Sequence, residues 1–76
     1  MTISQFIEID PRRCNGKPVV AGTRIPVTVV LDQLADAGSI QELLRRYPEL
    51  TRDIVVGVLQ YCNTVIEHTE LELATA

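Results

Sequence analysis

From residue 26 onward, hydrophobic residues recur every three or four positions, which is the period of an amphipathic helix. The first apolar stripe consists of Val27, Val30, Leu31, Leu34 and Ala35. Pro26 suits the first turn of a helix, where its missing N–H would have no partner in any case. Gly38 is suited to end the helix as the C′ residue. We therefore predict a first helix between these two positions.

A second helix is predicted from a capping box that begins at Ser39. The serine hydroxyl can accept a hydrogen bond from the N–H of Glu42, and the glutamate can reach back to the serine. The apolar stripe behind this cap consists of Ile40, Leu43, Leu44 and Tyr47. Because Pro48 disfavours helical backbone at the preceding residue, we expect the helix to end near Tyr47.

The third predicted helix is the longest, beginning with a Thr51 cap and running to about His68. Its main stripe, which should face the first two helices, consists of Ile54, Val55, Val58, Cys62, Val65 and Ile66. Val56, Leu59 and Tyr61 point away from that stripe, so this helix is apolar on more than one side. Two short helices cannot cover such a surface. We therefore predict that these three residues form a homodimer interface.

Residues 1–25 have a different pattern, in which short β-prone runs alternate with turn signals. The runs are residues 5–9, 18–20 and 24–25, and the turns are Asn15-Gly16 and Ala21-Gly22-Thr23. Asn and Gly tolerate the positive φ that tight turns require. Because each run is so short, this arm must lean on the helices or on another subunit.

These elements predict one mainly α domain over residues 1–76. It is a three-helix, helix-turn-helix-like unit at 26–68 with a short β-rich N-terminal arm at 1–25 and a frayed acidic tail at 69–76. A domain of this size buries only ~60% of the surface that its unfolded chain exposes. Such domains usually need a disulfide, a metal or a second subunit. With two cysteines and one histidine in the chain, we favour a second subunit.

The sequence pattern predicts neither a signal peptide nor a membrane-spanning segment. The N-terminus has no basic region followed by an apolar stretch, so we expect no signal peptide. The longest apolar run, residues 54–59, is too short to cross a bilayer. Cys14 and Cys62 form no CxxC pair, and two thiols fit a reducing compartment. We expect a cytoplasmic protein without metal or cofactor.

Charge is distributed unevenly along the chain, whose net charge is −3. All seven Lys and Arg lie in residues 1–52 with six acids, whereas residues 53–76 carry four acids and no Lys or Arg. A mildly basic front and an acidic C-terminal segment suggest a molecule with two different faces. Ordinary solvated surface explains the same distribution equally well.

Catalytic residues are not evident in this sequence. His68 lies near the acidic end, without a Ser or Cys partner at a recognisable spacing. Asp32 and Asp36 share one helix face opposite the apolar stripe, which fits solvated surface better than an acid–base pair. Cys14 is best interpreted as a bystander thiol. We predict that the protein is not an enzyme.

The tight joint between the last two helices gives the outline of a helix-turn-helix unit. The N-terminal part of the third helix would enter the major groove, and it offers Thr51, Arg52, Asp53, Val56, Gly57 and Gln60. Arg52 alone reads bases or phosphates well, and Asp53 repels phosphate. The DNA-contact candidates are therefore the cations Arg12, Arg13, Lys17, Arg24, Arg45, Arg46 and Arg52. For Arg45 and Arg46, stabilisation of the second helix's dipole is the stronger alternative.

The most specific signal is the stretch Gly16-Lys17-Pro18-Val19-Val20-Ala21-Gly22-Thr23-Arg24-Ile25-Pro26-Val27. It closely resembles the GKPvi.GTRipV signature of the bacterial and archaeal family called domain of unknown function 433, and the resemblance extends over about residues 6–66. The motif residues are Gly16, Lys17, Pro18, Gly22, Thr23, Arg24 and Pro26. The resemblance implies a helix-turn-helix-like domain related to VapB-type antitoxins, whose partner toxins are PIN-like ribonucleases.

Elementary chemistry assigns roles to three of these motif residues. Gly22 should have positive φ, and Thr23 can hydrogen-bond the turn backbone. Arg24 either pins the arm to a carboxylate or faces a ligand, and we favour the structural role.

Two functional hypotheses follow from the sequence. The first is an antitoxin-like module that binds operator DNA as a dimer through its front half and engages a toxin through its acidic C-terminal segment. The alternative is a dimeric protein-interaction or scaffolding module without nucleic-acid binding, which the poor recognition face and the negative net charge favour.

Overall fold

The computed structural model describes residues 5–12 and 16–75, with side chains described up to residue 68. Within these ranges two strands, β1 (Ile7–Glu8) and β2 (Val19–Val20), precede three helices. The helices are α1 (Val27–Ala37), α2 (Ile40–Arg46) and α3 (Arg52–Thr75). The predicted fold class, a mainly α three-helix domain with a short β-rich N-terminal arm, is confirmed.

The arm is a two-stranded antiparallel sheet, with Ile7 opposite Val20 and Glu8 opposite Val19. Ile7, Val19 and Val20 are fully buried, so the arm leans on the helices of its own chain. The run predicted at residues 24–25 is not a strand. Instead the chain turns back so that Pro26 forms an isolated bridge with Val19.

The predicted helix caps are present. Gly38 has φ +80° and its N–H donates to the carbonyl oxygen of Leu34, as a left-handed C-cap requires. The Ser39 hydroxyl accepts from the N–H of Glu42 at 3.1 Å, which is one half of the capping box. The Thr51 hydroxyl accepts from the N–H of Ile54 at 3.2 Å. These side chains set the start of α2 and α3 because they bind N–H groups that have no partner within the helix.

The core lies where the arm and the three helices meet. Its largest fully buried side chains are Ile7, Val19, Val20, Val30, Leu43, Val55 and Val58. Leu31 and Leu34 of the first predicted stripe pack against it partly buried, whereas Ala35 is exposed. At ~100° per residue, a consequence of ~3.6 residues per turn, Ala35 lies at the edge of the stripe and its side chain reaches solvent.

The end of α3 differs from the prediction. We placed it near His68 and expected a frayed tail from residue 69, but the helix continues to Thr75. The sequence of this last part, Glu-Leu-Glu-Leu-Ala, contains good helix formers and neither Gly nor Pro. Because nothing in it ends a helix, the prediction of a boundary at this point was wrong.

The exposure of the α3 side chains also differs from the predicted stripe. Val65 and Ile66, assigned to the buried face, are 45% and 55% exposed because the helix has passed the end of the domain. Tyr61, assigned to the uncovered face, is partly buried and packs against the core. Val56 and Leu59 are exposed, as predicted.

None of the described helices is both long enough and apolar enough to span a bilayer.

Candidate nucleic-acid interface

The turn between β2 and α1 is held by its own hydrogen bonds. Gly22 has φ +76°, which confirms the predicted need for glycine. The Thr23 hydroxyl donates to the carbonyl oxygen of Val20 at 2.8 Å and accepts from the N–H of Ile25 at 3.0 Å. The predicted role of Thr23 is therefore confirmed. These bonds fix the backbone from which Arg24 projects.

A shallow cleft of about 580 Å³ lies beside this turn. It is lined by Gly22, Thr23, Arg24, Ile25, Tyr47 and Glu49. The turn of the arm thus forms one wall, and the joint between α2 and α3 forms the other. Two stretches that are more than twenty residues apart in the sequence meet here, beside the start of α3.

Arg24 is exposed and makes no hydrogen bond or ion pair with a described residue. The structural role that we favoured, pinning the arm to a carboxylate, is not seen among those residues. Although Glu49 lines the same cleft, it does not pair with Arg24. Lys17 and Arg52 are likewise exposed and unpaired within the described chain. Among the described residues, no carboxylate competes with an external anion for these three cations.

Arg46 occupies a different environment, since it ties α1 to α2. Its guanidinium donates to Asp36 Oδ2 at 2.7 Å and to Gln33 Oε1 at 3.3 Å, and its Nε lies 3.8 Å from Glu42 Oε1. The hydrogen bond to Asp36 is the main reason that the pKa of Arg46 is raised above its ordinary value. These contacts give Arg46 a structural role, so we remove it from the DNA-contact set.

The remaining candidate cations have weaker ties or cannot be placed. Arg45 lies 3.4 Å from Glu42 and is 80% exposed, and Arg12 lies 3.6 Å from Asp10 and is 92% exposed. Ion pairs this exposed contribute little and can exchange for other partners. Arg13 lies outside the described residues.

The N-terminal part of α3 presents Arg52, Asp53, Val56 and Gln60 to solvent. Gly57, which we grouped with them, is instead buried under the ring of Phe6. A Cβ at residue 57 would have the Cε2 atom of Phe6 2.8 Å away. An isolated glycine inside a helical pattern can indicate such close packing, and this signal was overlooked in the sequence.

Two apolar side chains of α3 are also exposed. Val56 and Leu59 are 38% and 36% exposed. Cys62 is partly buried, and this desolvation raises the pKa of its thiol. Among the described residues, no cluster of His, Cys, Asp or Glu could hold a metal ion.

Comparison with known proteins gives two findings. Residues 7–62 match the model of the family described as protein of unknown function DUF433. The chain is also similar to the crystal structure of a DUF433 member protein from Anabaena variabilis, at 30% identity and a TM-score of 0.74. That match covers 93% of this chain and 70% of the other. No curated protein matches the sequence.

Proposed function

This chain belongs to the DUF433 family, and from that premise we propose that it is an antitoxin-like module that binds operator DNA and neutralises a toxin. It acts as a homodimer, with the arm and the joint before α3 facing DNA. Its acidic C-terminal segment engages a PIN-like ribonuclease. It is not an enzyme, and it works in the cytoplasm.

The observation that supports the DNA contact is that two cations without a partner among the described residues, Arg24 and Arg52, adjoin the joint between α2 and α3. Arg24 lines the cleft whose opposite wall contains Glu49, and Glu49 precedes Arg52 by three residues. In a helix-turn-helix unit, that end of the third helix meets the DNA. Cations without internal partners can contact phosphates without first breaking an ion pair, and phosphate contacts supply most of the affinity in weakly specific binding.

Charge supports the proposed toxin contact. From residue 53 onward the chain has four acids and no Lys or Arg, and α3 extends as one helix through this segment. A ribonuclease presents basic surface to its RNA substrate. An acidic helix has the complementary charge that would occlude such a surface.

Salt dependence tests the DNA contact. Fluorescence anisotropy with the DNA upstream of the gene should show affinity falling steeply with salt, and the slope should shrink by about 0.9 for each phosphate contact removed. Replacing Lys17, Arg24 and Arg52 with Gln should therefore flatten the dependence. Arg46→Gln is the control, because the Arg46 guanidinium is held by Asp36 and Gln33, and it should leave the slope unchanged.

The alternative function is a dimeric protein-interaction or scaffolding module that does not bind nucleic acid. The exposed apolar surface of α3 favours it, since such a surface suits a protein partner rather than a phosphate backbone. Absence of DNA binding at low salt, with and without the product of the adjacent gene, would decide for this alternative.

A further inference from the structure

The third helix is much longer than the domain that it packs against. At ~1.5 Å per residue, α3 is ~36 Å long, compared with ~16 Å for α1 and ~10 Å for α2. Burial declines accordingly along the helix: Val55 and Val58 are fully buried, Cys62 is partly buried, and Ile66 is 55% exposed. All the side chains of α3 that the structure describes beyond Cys62, residues 63–68, are exposed.

The exposed side of α3 has the spacing of a helix–helix seam. Val56, Leu59, Asn63 and Ile66 are all exposed and follow one another at intervals of three, four and three residues. This is the alternation of the a and d positions in a coiled coil. The one polar member, Asn63, already donates to Glu67 Oε1 at 2.9 Å, so its amide has a partner beside the seam. We call these four residues the α3 seam.

We infer that the α3 seam binds the α3 seam of a second copy of this chain, with the two helices antiparallel. The direction follows from charge. At the start of α3 the charges of Arg52 and Asp53 cancel, whereas the acids Glu67, Glu70 and Glu72 lie near the other end. Antiparallel helices keep the two acidic ends apart, whereas parallel helices would place them together, where like charges repel.

This arrangement is isologous, because each copy contributes the same surface. If Val56 lies opposite Ile66 of the other copy, the two-fold axis passes near residue 61. The inference rests on the homodimer in the proposed function, but it involves neither DNA nor toxin. Its failure can therefore be distinguished from theirs.

Cysteine cross-linking tests both the surface and the direction. In a Cys14→Ser, Cys62→Ser background, Val56→Cys and Ile66→Cys are made as separate proteins and oxidised singly and as a mixture. In the antiparallel dimer the two sulfurs introduced by Val56→Cys lie ~15 Å apart along the axis, as do those introduced by Ile66→Cys. Each protein alone should therefore stay uncross-linked, and the mixture should give a disulfide-linked pair. Cross-linking of Val56→Cys with itself would overturn the antiparallel direction.

Solution mass supplies the independent measurement. Light scattering should give wild type twice the 8.5 kDa of one chain, and Leu59→Glu should give one-chain mass. Thr64→Glu is the matched control, since Thr64 is exposed on another side of α3 and the dimer should persist. A monomeric wild type would overturn the dimer, and a dimer that survives Leu59→Glu and forms no disulfide would overturn the α3 seam.

Discussion

At the scale of single residues, the turn before α1 requires glycine at position 22 because of its backbone conformation, not because a side chain there would clash. Gly22 has φ +76°, and a Cβ added there would meet no atom within 4 Å. Thr23 and Ile25 close the same turn through the threonine hydroxyl. A substitution at residue 22 therefore costs free energy through its φ alone, since this left-handed region is unfavourable for side chains with a Cβ.

Gly22→Val should lower the free energy of unfolding by more than ~1 kcal/mol, because a β-branched residue is especially unfavourable at positive φ. The measurement is thermal or urea unfolding followed by circular dichroism. Gly22→Asn is the control: asparagine tolerates the left-handed region, so this variant should lose less stability. If valine and asparagine prove equally harmless, the turn does not require its observed conformation.

The same residue-scale reasoning shows what the sequence could reveal. The positive φ of Gly22 and the hydrogen bonds of Thr23 were predictable because turn chemistry is local. The position of Arg24 beside Tyr47 and Glu49 was not, because it depends on how the arm packs against a joint more than twenty residues away. Whether a cation has an internal partner is a property of the tertiary structure.

At the scale of elements, the arm packs closely against α3 where Phe6 covers Gly57. In an exposed helix, replacing glycine with alanine would stabilise by ~1 kcal/mol. Here the new methyl group would overlap the ring of Phe6, so the ring must move out of its packing. Overpacking of this kind typically costs ~1–3 kcal/mol.

We therefore expect Gly57→Ala to lower the free energy of unfolding, and the effect should reverse when the ring is absent. In a Phe6→Ala background the same substitution should stabilise the protein, because only the helix propensity remains. Urea unfolding of the four proteins of this double-mutant cycle gives the coupling between the two residues. A coupling near zero would mean that Phe6 does not restrict residue 57 in solution.

The starts of the helices could be predicted from the sequence, but the end of α3 could not. Ser39, Thr51 and Gly38 act on backbone groups within a few residues, so their effects can be read locally. In contrast, periodicity shows which residues share a face of α3 but not where the supporting domain ends. Ile66 continues the apolar pattern of Val55, yet α1 and α2 are too short to cover it.

At the scale of the whole molecule, the arm, α1, α2 and the first part of α3 pack around one core, and the rest of α3 projects beyond that core. The buried cluster ends at Val58, with Tyr61 and Cys62 packed against its edge. The four members of the α3 seam lie before residue 67, whereas most of the acidic charge of the C-terminal segment comes after residue 66. Folding, dimerisation and toxin capture should therefore be separable by position along one helix.

Removal of residues 67–76 should leave the fold and the dimer intact and weaken capture of the adjacent-gene product. The buried cluster loses none of its members, so the unfolding midpoint should change little. Binding should weaken because the attraction between acidic segment and basic ribonuclease surface is lost. The measurements are thermal unfolding, light scattering and calorimetric titration. The control is a full-length protein that combines Glu67→Gln, Glu70→Gln and Glu72→Gln. It loses the acidic charge but keeps the length of the helix.

Comparison of the truncated protein with the triple glutamine variant identifies which feature of the C-terminal segment binds the toxin. Equal weakening in both would assign capture to the carboxylates, whereas weakening in the truncated chain alone would assign it to the helix itself. Unchanged affinity in both would exclude the acidic segment. The contact would then lie on the arm, where Lys17 and Arg24 project without internal partners among the described residues. In that case toxin and DNA would compete for one surface, and binding of the toxin would release the operator.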